Sequence, residues 1–309
     1  MTGMRFSFVG YQPPTSVHTR AAQVFELALK DEMGGDVDFV LENNVADSGL
    51  KAAACLSLVE TGDRTFCYFA SSYLADRFPE IAILDLPFMI SDRVRAYQAL
   101  DGDFGAAMKK IVRANSEYEL LGFWDNGFRH LSNCARPIRT PGDCTGLRIR
   151  TGNSKLHQET FAALGFEPTF IDVADLAAAV KSGEVDAQDN PLANIFQFGI
   201  HQHHRYITLS GHFLGFVTVL CHRQSYESWG SETQEAVHKA VAQATEAQRG
   251  FALAEDDRVL AELEKTDNEV IELSAGERRL FVEAVQPVID TQLNSLDSRL
   301  VDLYLGTSA

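Results

Sequence analysis

Three arginines and one amide stand where the sequence could bind a small anion. Arg148 and Arg150 alternate with Leu147 and Ile149 in "GLRIRT", so the two arginines share one strand face and the two aliphatic residues the other. A guanidinium is rarely buried without a partner. Either this is an edge strand with solvated arginines, or one arginine awaits an anion. Arg150 is the better placed, at the strand's carboxyl end and close to a helix expected to begin near Ser154. Open α/β sheets bind ligands beyond such ends, helix N-termini favour anions, and the guanidinium fork matches a carboxylate. In "GEVDAQDNP" a second strand ends at Gln188, Asp189 and Asn190, with Pro191 at a helix start. Asn190 there is either an amide donor to the same ligand or a helix cap. Arg129 in "NGFRHL" is the third cation, and a cross-strand ion pair is its alternative role.

Other chemistries lack their residues. G-x-S-x-G, G-x-G-x-x-G, the P-loop and H-E-x-x-H are all missing from the sequence. His201, His203 and His204 cluster in "HQHHR", but neighbours in a strand point oppositely and do not readily share a metal. Cofactors and metals are expected to be none. The five cysteines form no C-x-x-C pair. Cys134 and Cys144 flank a turn-rich segment that could join them in a disulfide, and small buried side chains are the other reading. The net charge of −16 argues against nucleic acid, though a local arginine pocket can still oppose it. No apolar run reaches the ~20 residues of a membrane helix. The start "MTGMRFSFVGYQPP" lacks the form of a secretory signal, so the protein is either cytoplasmic or an export signal has been removed.

The elements that position these residues alternate. Strands are expected at "MRFSFVGY", 37–42, 65–70, 81–88 ("IAILDLPF"), 119–124, 128–133, 146–150, 167–171, 185–188, "RYITL" and "GFVTVLC". Asp125-Asn126-Gly127 and Ser210-Gly211-His212 read as breaks between strands. Helices fall between, from Arg20 to a stop at Gly34-Gly35, then at 48–61, 93–101, 104–115, 154–164 and 173–182. The order implies a parallel sheet with crossover helices. Residues 232–266 keep a helical pattern far longer than usual, which reads as a strut spanning two domains; more helix follows at 275–305, broken at Pro287.

At this point the chain resembles a family. "GFRHLSN…RPIRTPGDCTGLRIRTGNS…LGFEPTFIDVADLAAAVKSGEVDAQDNP" is similar to the core of the solute-binding proteins of tripartite ATP-independent periplasmic (TRAP) transporters, the DctP-type subunit. "PEIAILDLPFMISDRVRAYQALDG" upstream and the long helix after "YESWGSETQEAVHKA" extend the likeness along nearly the whole chain. The resemblance implies an α/β, two-lobed periplasmic-binding-protein-like fold with a ligand cleft, crossing hinge strands and a domain-spanning helix. The lobes would be 1–126 plus about 214–252, and 127–213 plus about 253–309. Arg150, Arg129 and Asn190 match the family's carboxylate-binding positions, with Gln188 beside them.

The first lobe would supply the other cleft wall, with Tyr11 and Gln12 after strand one and Tyr68, Ser71, Ser72 and Tyr73 after strand three. Trp124, Phe170 and Phe216 either line the pocket or pack the core. The implied function is capture of a small organic acid anion by cleft closure, without catalysis. Delivery would be to TRAP membrane subunits, by a periplasmic, monomeric protein that does not itself span the membrane. The alternatives are a cytoplasmic small-molecule sensor module and a metal-dependent enzyme on an α/β fold.

Overall fold

A computed structural model describes residues 4–34 and 37–306, so the expected stop at Gly35 lies outside the described residues. The elements run β1 (Met4–Val9), α1 (Val17–Glu32), β2 (Val37–Glu42), α2 (Ala54–Glu60), β3 (Phe66–Ala70), α3 (Arg93–Asp101), α4 (Asp103–Asn115) and β4 (Tyr118–Asn133). Next come β5 (Arg148–Thr151), α5 (Lys155–Ala163), β6 (Glu167–Phe170), α6 (Leu176–Ser182), β7 (Ala187–Pro191), α7 (Leu192–Gln197) and β8 (Tyr206–His222). The chain ends with α8 (Arg223–Ser228), α9 (Ser231–Leu263), β9 (Glu269–Glu272), α10 (Ala275–Ser295) and α11 (Ser298–Leu305). These pack as two compact units. One comprises 1–70, 100–125 and 216–253, and the other 71–99, 126–215 and 254–309. Residues 71–99 cluster with the second unit, whereas the expected boundary put them in the first. The short 3-10 helix Pro79–Asp85 within them packs on α5 and α11, which fixes that allegiance.

In the first unit β1 pairs in parallel with β2 and β3, and β3 pairs antiparallel with β8. Alternation in "MRFSFV" sends Phe6 and Phe8 inward, where they meet Phe25 of α1, Phe66 and Trp124. Helix α1 starts where Ser16 Oγ accepts from Thr19 N at 3.0 Å, and it buries Ala21, Ala22, Phe25, Ala28 and Leu29 at helical spacing. Val237, Ala240, Val241 and Ala244 of α9 complete this core. Each fully buried phenylalanine contributes about 1.5–3 kcal/mol.

In the second unit β4 pairs antiparallel with β7, β5 lies parallel between β7 and β6, and β9 pairs in parallel with β8. The sheet is therefore mixed rather than all parallel. One core joins Leu131, Ile149 and Ala187 to Phe161 of α5 and Phe281 and Val285 of α10. Another joins Leu176, Val180 and Leu192 to Val259 and Leu263 of α9.

Several expected boundaries move, each for a local reason. Asp125-Asn126-Gly127 does not interrupt β4, because Gly127 takes φ +96°; a Cβ there would meet Pro191 Cβ at 3.1 Å. Ser210-Gly211-His212 likewise lies inside the continuous β8, with Gly211 at φ +51°. The apolar run from Ile81 is not a strand but the 3-10 helix opened by Pro79, and Ile81 to Asp85 are all buried. A short fully apolar run cannot tell helix from strand. Pro287 is exposed inside an unbroken α10, and α9 passes Gly250 without a break. All five cysteines are free; Cys134 is exposed and Cys144 buried, so the expected disulfide option is not realised here. Among the described residues no helix is long and apolar enough to cross a membrane, and no cluster of ligating side chains could hold a metal.

Candidate functional site

The three arginines have three different fates, and their neighbours decide each one. Arg148 opens β5 on the exposed side. It grips Asp186 through Nε at 2.9 Å and Nη2 at 2.8 Å, and it donates to Gly183 O at 2.8 Å. That contact holds the carboxyl of Asp186 below its usual range. Arg148 is a surface clamp between β5 and the turn before β7.

Arg129 is buried, 9% exposed, and its charge is already answered. Its Nε donates to Asp189 Oδ2 at 2.5 Å and its Nη2 to Asp189 O at 2.8 Å, across the β4–β7 pairing. The cross-strand ion pair weighed for Arg129 is thus present. Burial alone would lower its pKa, but the adjacent carboxylate outweighs burial and the net shift is upward. Asp189 is correspondingly held well below the carboxylate range, burial being overcome by Arg129 and His212. His212 Nε2 lies 3.3 Å from Asp189 Oδ2, and its Nδ1 lies 2.7 Å from Ser210 Oγ.

Arg150 is the arginine without an answer. It is 3% exposed, and its Nε donates to Ile171 O at 2.7 Å. Among the described residues no carboxylate lies within ion-pair distance of it. Burial depresses its pKa, with Arg129 adding to the effect and Tyr73, Asp189 and Asp172 opposing it from further away. A guanidinium nonetheless stays charged at any ordinary pH. A buried charge in this condition is costly unless something pairs with it.

Around Arg150 the second unit assembles further polar groups. The Tyr73 ring sits 3.2 Å from where a Cβ on Gly152 would lie, just past the end of β5, a tighter approach than an ordinary Cβ contact. Burial raises the pKa of Tyr73. Gln188 stands opposite Arg150 in the β5–β7 register. Its Nε2 donates to Ser132 Oγ at 2.6 Å, and its Oε1 accepts from Asn190 Nδ2 at 2.6 Å. Asn194 Nδ2 lies 3.4 Å from Asn190 Oδ1, and His204 Nδ1 lies 2.9 Å from Ser132 Oγ. Asn190 is not the cap of α7, because β7 extends through Pro191, which occupies the cap position itself.

The remaining candidates divide between the units. Ser71, Ser72, Tyr73 and Phe170 belong to the second, while Tyr11, Tyr68 and Phe216 belong to the first. Ser71 is buried, Ser72 half-buried, and Phe170 47% exposed at the end of β6. Tyr68 is fully buried, its hydroxyl 3.2 Å from Thr19 Oγ1, and the half-buried Tyr11 packs on it at 5.3 Å between ring centroids. Phe216 is buried, and Trp124 is core, as its packing alternative had it. Gln12 is buried, and among the described residues its Oε1 has no partner. Sequence reasoning gave no binding role to Asp189, His212 or Ser132, and weighed His204 only as a metal ligand. Asp189 lay in plain view in "QDNP", but which arginine it would neutralise depends on the β4–β7 pairing, which no local pattern states.

A mixed α/β chain with a buried, unneutralised arginine at a strand's carboxyl end has the features of a small-anion receptor. Residues 8–295 match the family described as "Bacterial extracellular solute-binding protein, family 7" (DctP), and the chain belongs to it. The family consists of solute-binding proteins, not enzymes. The chain is 31% identical over 281 residues to the uncharacterized protein y4mM of Sinorhizobium fredii, covering 90% of this chain but only 50% of that relative. It is 26% identical over 266 residues to the 2,3-diketo-L-gulonate-binding periplasmic protein YiaO of Escherichia coli, covering 86% and 79% of the two. Among solved structures, a TRAP periplasmic solute binding protein from Bordetella bronchispeptica, with density assigned to pantoate, superposes with a TM-score of 0.92. Its identity is 25%, covering 99% of this chain and 100% of that one.

Proposed function

We propose that this chain is the extracytoplasmic receptor of a TRAP transporter, capturing a small organic acid and presenting it to the membrane subunits. The observation that carries this reading is Arg150, buried at the end of β5 with its charge unneutralised. An incoming carboxylate supplies the missing counter-charge, and the guanidinium fork takes it in two parallel hydrogen bonds. Family membership supports the same reading, as do the acids named for two relatives, 2,3-diketo-L-gulonate and pantoate.

In this reading Arg129, held in place by Asp189, and the amides of Asn190 and Gln188 complete the carboxylate's surroundings. Tyr73, Ser71, Ser72 and Phe170 add contacts from the same unit. The chain works outside the cytoplasm, as a monomer, and needs no cofactor.

The test is calorimetric titration of refolded, ligand-free protein with a panel of organic acids, chosen first by thermal shift. Arg150→Ala should raise the dissociation constant at least tenfold for the acid that binds, while the circular dichroism spectrum is unchanged. Loss of a desolvated charge partner typically costs about 2–5 kcal/mol. Equal affinity in the variant and the parent would sink the assignment.

A further inference from the structure

On β4, Arg129 points to one face of the sheet, and Phe128 and His130 point to the other. On that other face the second unit holds a separate pocket of about 330 Å³. Its apolar wall is Phe128, Leu192, Leu209 and Leu260, and Arg278 and His130 supply its polar side. The volume lies at the small end of the range typical for ligand sites, roughly 300–1,000 Å³.

Charge selects the ligand. Arg278 is half-buried, with Nη1 donating to Ser210 O at 2.7 Å and Nη2 near Gly211 O at 3.4 Å. Among the described residues no carboxylate lies within ion-pair distance of it. A guanidinium has five N–H donors, so three remain after those two carbonyls are served. The one acid on the wall, Asp256, is already engaged by Arg93, whose guanidinium lies over the Phe128 ring at 5.2 Å. His130 Nδ1 accepts from Gly211 N at 3.1 Å, so the ring carries its proton on Nε2 and is a neutral donor. Partial burial and the neighbouring His212, Arg93 and Arg278 keep it neutral, its pKa lowered to about 3. The pocket's net charge is therefore positive on a chain whose overall charge is −16.

We infer that this pocket is a second, independent ligand site, taking a small monocarboxylate with an aromatic or branched aliphatic body. The carboxylate pairs with Arg278 and the body packs among the three leucines and Phe128. A polyhydroxylated acid is disfavoured, because its hydroxyls would meet apolar walls with few partners.

The probe is phenylacetate, titrated by calorimetry into Arg150→Ala, which removes the charge on which the site proposed above rests and leaves the Arg129–Asp189 pair intact. Binding should persist there, and adding Arg278→Gln should weaken it at least tenfold. Leu260→Trp, which fills the pocket without touching the arginine, should do the same while the melting temperature stays near that of the parent. Nuclear Overhauser contacts between the phenylacetate ring and leucine methyls should follow these losses. No binding at millimolar phenylacetate overturns the inference. So does binding that disappears in Arg150→Ala, or binding indifferent to both Arg278→Gln and Leu260→Trp. Failure of the first site would leave all of these outcomes unchanged, so the two assignments stand or fall separately.

Discussion

The difference between Arg129 and Arg150 is a difference of one carboxylate. Both are buried cations in one unit, yet Asp189 neutralises the first, while among the described residues no carboxylate lies within ion-pair distance of the second. Asp189 is thus a structural partner of Arg129. Replacing it by asparagine leaves Arg129 buried without its counter-charge. Breaking a buried pair from one side costs about 3–5 kcal/mol, so Asp189→Asn should lower unfolding stability by that order in urea at neutral pH. The pH dependence follows from the sign of the shift. The folded carboxyl of Asp189 titrates far below its unfolded value, which is about 3.9. Its stabilisation is therefore fully present above about pH 4 and is lost as the pH falls below that value toward the folded pKa. Urea titrations between pH 7 and pH 2 should show a loss below about pH 4 that is much shallower in Asp189→Asn. A parallel pair of curves would mean that the ion pair contributes nothing.

At the scale of elements, α10 keeps a proline that its pattern says should end it. Proline removes one backbone hydrogen bond and crowds the preceding turn. Pro287 is exposed and the neighbouring Phe281, Val285 and Ile289 stay buried, so core packing holds the helix together across the defect. Pro287→Ala should restore the bond and stabilise the protein by about 1–3 kcal/mol, seen as a higher urea midpoint with an unchanged slope. A lower midpoint would mean that the helix is adapted to the proline. The same element shows what a sequence can and cannot disclose. Alternation and helical spacing made β1, α1 and the β5–α5 turn legible, and with them the strand-end position of Arg150. The continuity of β4 and β8 was not legible, because Gly127 and Gly211 look like breaks until their partners show that the strands pass through at positive φ. Nor was the pairing that gives Asp189 to Arg129, since strand register is a non-local fact. Only the resemblance to a family joined Arg129 and Asn190 to Arg150 in one candidate site, whose role is the proposal made above.

For the molecule as a whole, the division into units is cut by single elements. The chain changes unit between residues 70 and 71, 99 and 100, 125 and 126, 215 and 216, and 253 and 254. The first point is the end of β3, and the other four fall within α3, β4, β8 and α9 respectively. A linker would let one unit melt while the other stays folded. A strand or helix that enters both cores cannot unravel in one without exposing hydrogen bonds and apolar side chains that begin the other. Helix α9 makes this concrete, with Val237, Ala240 and Val241 in the core of the first unit and Val259 and Leu263 in a core of the second. Proteins of this length commonly unfold in stages, but the shared elements tie the two stages together here. Scanning calorimetry should therefore give one endotherm whose calorimetric and van't Hoff enthalpies agree. Val241→Ala and Val259→Ala, one in each unit, should shift that single peak by similar amounts. Two resolved peaks, or a valine substitution that moves only one of them, would show that the units melt independently despite their shared strands and helix.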